Sequence, residues 1–208
     1  MAILGKRNLL SIRYSPGLEG SAHINLGLAA QFIANYFTNA DSTILPPPSV
    51  FAGQTAASEN SYLMQAAAGH TNTIRFSDFL AAFRPLKSIR NVRLFAKQTI
   101  AFRQFVRGVP VKADLSADTE TALAVGGCLA TIAYGRLIAE NCMILNVPPP
   151  IISAIFHNLI HDLSVSALAT ATLPRLDHLA RRRIRRLIVV PDIRGADWDA
   201  VAERFIRP

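Results

Sequence analysis

The stretch at residues 116–145, SADTETALAVGGCLATIAYGRLIAENCMIL, decides the fold. Ala124, Cys128, Thr131, Gly135, Ile138 and Cys142 recur at spacings of 4, 3, 4, 3 and 4. That period belongs to one face of an α-helix. Most of these residues are small, so a neighbouring helix can approach closely along the seam. The rest of the segment is also apolar up to Arg136, and a helix apolar all round belongs in an interior. The uncharged run between Glu120 and Arg136 has 15 residues. A membrane span needs about 20, so the segment reads as the central core helix of a bundle and not as a span. Gly126-Gly127-Cys128 falls inside it and reads as close packing, not as a phosphate cradle.

Outward from this segment the chain is helix after helix. Upstream, residues 88–107 place Ile89, Val92, Phe95, Ala96, Thr99, Phe102 and Val106 at helical spacing. Arg90, Arg93, Lys97, Arg103 and Arg107 alternate with them, and Gly108 and Pro110 stop the helix. Downstream, Pro148-Pro149-Pro150 separates the central helix from one running through Ile155, Leu159, Leu163 and Leu168. A further helix is expected over residues 176–190, ended by Pro191, and Asp197 is expected to cap a last one holding Trp198, Val201 and Phe205. Towards the start, Ser21 caps an apolar helix over residues 22–37, and Gly69 closes another over residues 58–68. Ser77 and Asp78 cap a short helix ending before Pro85. No run alternates with the period of a strand, so the fold class is all-α, a helical bundle. Pro46-Pro47-Pro48 is the best linker and divides the chain into residues 1–45 and 46–208, packed together as one bundle.

The chain has 208 residues, half of them apolar, enough for one sizeable domain. Its formal charge is +8, and Arg181, Arg182, Arg183, Arg185 and Arg186 stand close together. Such a cluster suits phosphate-bearing ligands or acidic surfaces, or simply a solvated helix face near a C-terminus, where positive charge complements the macrodipole. No nucleic-acid-reading motif accompanies it, and no nucleic-acid partner is expected. Cys128 and Cys142 fit neither a disulfide framework nor a zinc motif. No apolar core of a signal peptide follows Lys6 and Arg7, so the expected location is cytoplasmic.

His157 and His161, four apart with Asp162 beside the second, share one helix face as metal ligands would, yet have no companion Glu-x-x-His pair, and no metal is expected. The sharper candidate is Leu18-Glu19-Gly20-Ser21. Glu19 stands just before a long helix, whose positive terminus keeps a carboxylate ionised. An apolar ligand that displaced water would raise its pKa and make it a stronger base, able to remove a weakly acidic proton beside a carbonyl. The bland alternative is a carboxylate that only complements the dipole.

The stretch RYSPGLEGSAHINL at residues 13–26 resembles the late Glu-Gly-Thr region of acyl-CoA dehydrogenases. AGHTNTIRF at residues 68–76 and IFHNLIHDLS at residues 155–164 are similar to the helical C-terminal extension of some bacterial members. The resemblance implies an acyl-CoA dehydrogenase C-terminal-domain-like fold. It implies Glu19 as the base that takes the α-proton of an acyl-CoA thioester while FAD takes the β-hydride. Gly20 and Ser21 would then lie near the flavin, with Ser21 in place of the usual threonine. The family's N-terminal helical domain and β-domain have no counterpart here. The resemblance therefore implies a chain inactive alone, completed by a partner chain or by self-association into a homo-oligomer, and not expected to hold FAD tightly by itself. The competing expectation is a non-enzymatic helical interaction module with a basic face.

Overall fold

In the computed structural model, the residues described are 26, 29–30, 32–38, 76, 78–108, 119–191 and 195–205. About 79% of them are helical and none lies in a strand, so the all-α bundle is confirmed at the level of class. The α-helices are α1 (Ile33–Thr38), α2 (Arg90–Gly108), α3 (Thr119–Ile144), α4 (Pro149–Ala171), α5 (His178–Ile184) and α6 (Gly195–Phe205). Short 3-10 turns at Ala81–Phe83 and Arg185–Leu187 complete the order.

Helix α2 forms where its period predicts. Val92, Phe95, Thr99, Phe102 and Val106 are buried, and Arg90, Arg93 and Lys97 face outward. Helix α4 begins at Pro149, whose fixed φ suits a first turn and whose missing N–H has no intrahelical partner to lose. Between α3 and α4 the chain reverses through a Schellman turn. Asn146 takes φ 49°, Val147 N–H donates to Cys142 O at 2.9 Å, and Asn146 N–H donates to Met143 O at 3.3 Å. The helix expected at residues 78–84 is a single 3-10 turn, started by Asp78 Oδ1 accepting from Leu80 N–H at 3.0 Å.

The centre of the bundle is α4, not α3. Helix α4 packs against α2, α3, α5 and α6, and Phe156, Ile160, Leu163 and Ala167 are fully buried along it. Aromatic rings fill the space it shares with α2. Phe156 lies 5.4 Å from Phe95 and 6.2 Å from Phe83, both edge-on, and Phe83 lies 5.7 Å from Phe95. A second aromatic group ties α1 to α2, with Phe37 5.8 Å from Phe102 and 5.1 Å from Phe79.

The small-residue seam of α3 does what its spacing implies. Cys128 is wholly buried, and the Phe95 ring lies where a Cβ at Gly135 would stand. A Cβ at Gly126 would overlap the backbone carbonyl of Leu26. Glycine is required at both places by close approach of a neighbour.

The helix expected over residues 176–190 is shorter. Helix α5 starts at an Asp177 cap, whose Oδ1 accepts from Ala180 N–H at 2.6 Å, and ends at Ile184. The chain then turns and runs extended, because its backbone is held from outside. Buried Gln98 donates from Nε2 to Leu187 O at 2.6 Å and to Ser164 Oγ at 3.1 Å. Ser164 Oγ in turn accepts from Val189 N–H at 3.0 Å. Asp197 is likewise not a cap. It sits in the first turn of α6 and its carboxylate reaches α4.

Candidate functional site

Glu19, Gly20 and Ser21 lie outside the described residues, as do the Pro46-Pro47-Pro48 linker and the helix expected over residues 58–68. Three described features have the residue types for chemistry or binding.

The first is the pair of histidines and cysteines. Helix α4 carries His157 half-buried, its Nδ1 enclosed without a hydrogen-bond partner. His161 is exposed, with Nδ1 3.6 Å from Asp162 Oδ1. Among the described residues no three His, Cys, Asp or Glu side chains converge as a metal site. The Cys128 thiol is pushed up to about 12 by burial, with a weak contact to Thr170 Oγ1 at 3.8 Å acting in the opposite direction. Burial also raises Cys142. Nucleophilic attack needs the thiolate, so neither thiol is poised for it.

The second is the arginine cluster, which the structure divides. Arg181 donates from Nη2 to Leu173 O at 2.9 Å, just beyond the end of α4. The Arg183 guanidinium lies across Gly108 at the C-terminus of α2, the negative end of that helix. Arg181 thereby ties α5 to the chain just after α4, and Arg183 lies against the end of α2. Arg182, Arg185 and Arg186 remain exposed and form the basic face.

The third is a cleft of about 310 Å³ where the starts of α2, α4 and α6 meet, lined by Arg90, Arg93, Pro149, Pro150, Ser153 and Asp197 among others. A buried polar relay backs it. Asn91 Nδ2 donates to Ser153 O at 2.9 Å and to Ser153 Oγ at 3.2 Å, and Ser153 Oγ donates to Asp197 Oδ2 at 3.0 Å. Sequence reading did not single this out, since the partners lie 62 and 44 positions apart. The relay lacks the parts of a catalytic serine. Among the described residues no imidazole bonds this hydroxyl, and the two prolines opening α4 offer no N–H to an oxyanion. Arg93 Nη1 donates to Lys87 O at 2.9 Å, so its charge organises the turn before α2. The arrangement docks α6 onto α2 and α4.

Beyond these sites, one helix face stands out. On α3 the exposed large apolar residues are Tyr134 (58% exposed), Leu137 (52%) and Ile144 (51%), followed by Leu145 (66%). They share the face turned away from Cys128, Ile132 and Ala139, all buried. Gly127, on the same face, has no heavy atom within 4 Å of where a Cβ would stand. Arg136 and Glu140 flank the face but bind each other, Nε to Oε1 at 3.0 Å, and are largely covered. By length and composition alone, both α3 and α4 are apolar enough to cross a membrane, but α4 is the packed hub of the bundle.

Compared with known proteins, the chain matches no family model, no curated protein and no solved structure.

Proposed function

We propose that this chain is a non-enzymatic helical interaction module whose working surface is the outer face of α3. The observation that carries the reading is the largely apolar stripe from Tyr134 to Leu145, interrupted by Asn141, on a helix whose opposite face is core. Four side chains of roughly 200 Å², each more than half exposed, leave about 450 Å² of apolar surface in one strip. Soluble monomers rarely expose contiguous patches beyond a few hundred Å² unless they bind something. The exposed Arg182, Arg185 and Arg186 add a basic face elsewhere, suited to an acidic partner surface.

The dehydrogenase reading rests on the resemblance at residues 13–26, 68–76 and 155–164, with Glu19, Gly20 and Ser21 as its site, and no observation on the described residues adds to it. Flavin titration of the purified chain separates the two: stoichiometric FAD retained through gel filtration would favour the flavoprotein.

The interaction reading is tested with the double substitution Leu137→Glu and Ile144→Glu. Both side chains stand outside the core, so the helical circular dichroism signal and thermal midpoint should hold within a few degrees, while retention on a hydrophobic matrix falls. A fall of more than about 10 °C in the midpoint, several kcal/mol for a chain of this size, would mean that the face is internal packing, and the reading fails.

A further inference from the structure

We infer that the basic surface shared by α2 and the segment from α5 to Val190 docks on an anionic lipid bilayer; it is a second surface, apart from the α3 face. Charge selects this side of the protein, and the side chains standing among the charges select the occupant.

The charge is gathered by the fold. Helix α2 carries Arg90, Arg93, Lys97, Arg103 and Arg107 and no acidic residue. Residues 178–190 carry Arg181, Arg182, Arg183, Arg185 and Arg186, again with no acidic residue. The whole chain is +8, so everything outside these two stretches is together net acidic. The two stretches are far apart in the sequence, yet α2 packs directly against α5 and the 3-10 turn that follows it. Gln98 Nε2 donates to Leu187 O at 2.6 Å, and the chain neighbours of that bonded pair, Lys97 and Arg186, are both exposed. Towards the other end of α2, the Arg183 guanidinium lies across Gly108, next to the exposed Arg107. Arg93 and Arg181 donate to backbone carbonyls, Lys87 O and Leu173 O, which leaves their charge unneutralised. Charge of one sign on adjacent elements concentrates anions at that surface.

Aliphatic side chains stand among the cations. Leu179 is 51% exposed, Ile188 40% and Val190 89%, and Arg182, Arg185 and Arg186 lie between Leu179 and Ile188 in the chain. The same stretch turns Ala180, Ile184 and Leu187 into the core, so its outer side is what a partner meets. On α2, Ile100 is exposed between Lys97 and Arg107. An anionic bilayer answers both kinds of group. Its phosphates meet the guanidinium groups, and its acyl boundary, roughly 5–10 Å deeper, takes aliphatic side chains while the long arginine stems keep their heads at the surface. A nucleic acid answers only the first kind, because its bases are held by stacking on exposed aromatic rings. Phe95, Phe102 and Phe105 of α2 are buried, and residues 178–190 contain no Phe, Tyr or Trp.

The full chain is cosedimented with vesicles of pure phosphatidylcholine and with vesicles of equal parts phosphatidylcholine and phosphatidylglycerol, across a sodium chloride series. Binding is expected to the anionic vesicles, to weaken as salt screens the charges, and to be at least about tenfold weaker on neutral vesicles. Arg182→Gln, Arg185→Gln and Arg186→Gln combined should weaken partition onto anionic vesicles about 100-fold, and Lys97→Gln with Arg107→Gln, on the other helix, about 30-fold. Leu179→Gln with Val190→Gln alters no charge and should weaken it at least about tenfold. All these side chains are exposed, and an unchanged helical circular dichroism signal separates lost binding from lost fold. Equal binding to neutral and anionic vesicles would overturn the basic surface as the site. No binding to anionic vesicles would overturn lipid as its occupant and leave an acidic protein in that place. Full binding by the Lys97 and Arg107 variant would overturn the surface joining α2 to α5. If the Leu179 and Val190 variant binds anionic vesicles like the native chain, and duplex DNA at the same salt binds as tightly as the vesicles, charge alone acts on any polyanion and the lipid assignment falls. The α3 reading is tested by the double glutamate variant on an uncharged hydrophobic matrix, so either proposal can fail while the other stands.

Discussion

Gln98 is the residue through which the segment after α5 is fastened to α2, and its replacement gives the sharpest stability test. It is 1% exposed, and its Nε2 reaches Leu187 O at 2.6 Å, Ser164 Oγ at 3.1 Å and Ile160 O at 3.3 Å. Ile160 O also accepts from Ser164 Oγ at 2.7 Å, and Val189 O takes that hydroxyl at 2.9 Å as an alternative. Removing the amide therefore leaves the Leu187 carbonyl with only the Ser164 hydroxyl, 3.3 Å away and shared with Ile160 O and Val189 O. An orphaned buried acceptor costs about 1–3 kcal/mol. In the opposite direction, Gln98 Oε1 is buried without a hydrogen-bond partner, so its removal relieves a desolvation cost of the same kind. Gln98→Leu, close in volume, should therefore lose towards the lower end, about 1–2 kcal/mol. For a chain of this length each kcal/mol moves the midpoint by about 2–4 °C, so the fall should be roughly 2–8 °C. The loss should be local first. Hydrogen exchange at residues 187–189 should quicken before exchange in the middle of α4 does. Gln98→Glu should be worse, because a carboxylate cannot donate to Leu187 O and its charge would be buried. An unchanged or raised midpoint in Gln98→Leu would refute the assignment of this amide as the fastening.

Other perturbations follow from the packing. Phe156→Ala empties the space between Phe83 and Phe95 and should cost about 3–5 kcal/mol in urea unfolding. Gly126→Ala places a methyl group on the Leu26 carbonyl, and the ~1 kcal/mol gain in helix propensity should be outweighed, giving a lower midpoint. Cys128 gives a pH signature. Its thiol is raised from 9.0 to about 12 by burial, so the unfolded chain releases this proton first. Its contribution is whole below pH 9.0 and declines by about 1.4 kcal/mol per pH unit as pH rises towards about 12. Cys128→Ala should flatten that decline in calorimetry at alkaline pH, and native Cys128 should resist alkylation until the chain is unfolded.

Sequence periodicity carried the fold class because α2 and α4 announce themselves. Phe95, Phe102 and Val106 keep helical spacing against a row of arginines, and the proline triplet marks the turn between α3 and α4. It failed on which helix is central. Helix α3 is apolar all round, and such a pattern names no face as core. Only the positions of α2 and α4 reveal that one side of α3 packs on the bundle while Tyr134 and Leu137 stand outside. The end of α5 was illegible for a related reason. Arg185, Arg186 and Leu187 favour a helix and Ile188, Val189 and Val190, being β-branched, do not, and side chains from Gln98 and Ser164 hold this backbone out of the helix. The Asn91–Ser153–Asp197 relay joins three helices across long separations and leaves no local mark. The arginine cluster was legible as charge but not as structure. Nothing in its spacing says that Arg181 would bond the Leu173 carbonyl and Arg183 lie against Gly108 while Arg182, Arg185 and Arg186 stay exposed.

The Schellman turn at Asn146 bears on the order in which the chain folds. Its hydrogen bonds join residues at most five apart, and the proline that follows has its φ already set. Closing so short a connection costs little chain entropy, so the α3–α4 hairpin is a low-contact-order unit that can form early. The bond from Gln98 to Leu187 spans 89 positions and brings in the segment after α5 from far along the chain. Folding should therefore proceed from the hairpin outward, with residues 185–191 docking last. During synthesis the hairpin clears the ribosome before that segment does, and the outer face of α3 is then already formed on a chain whose tail is still free.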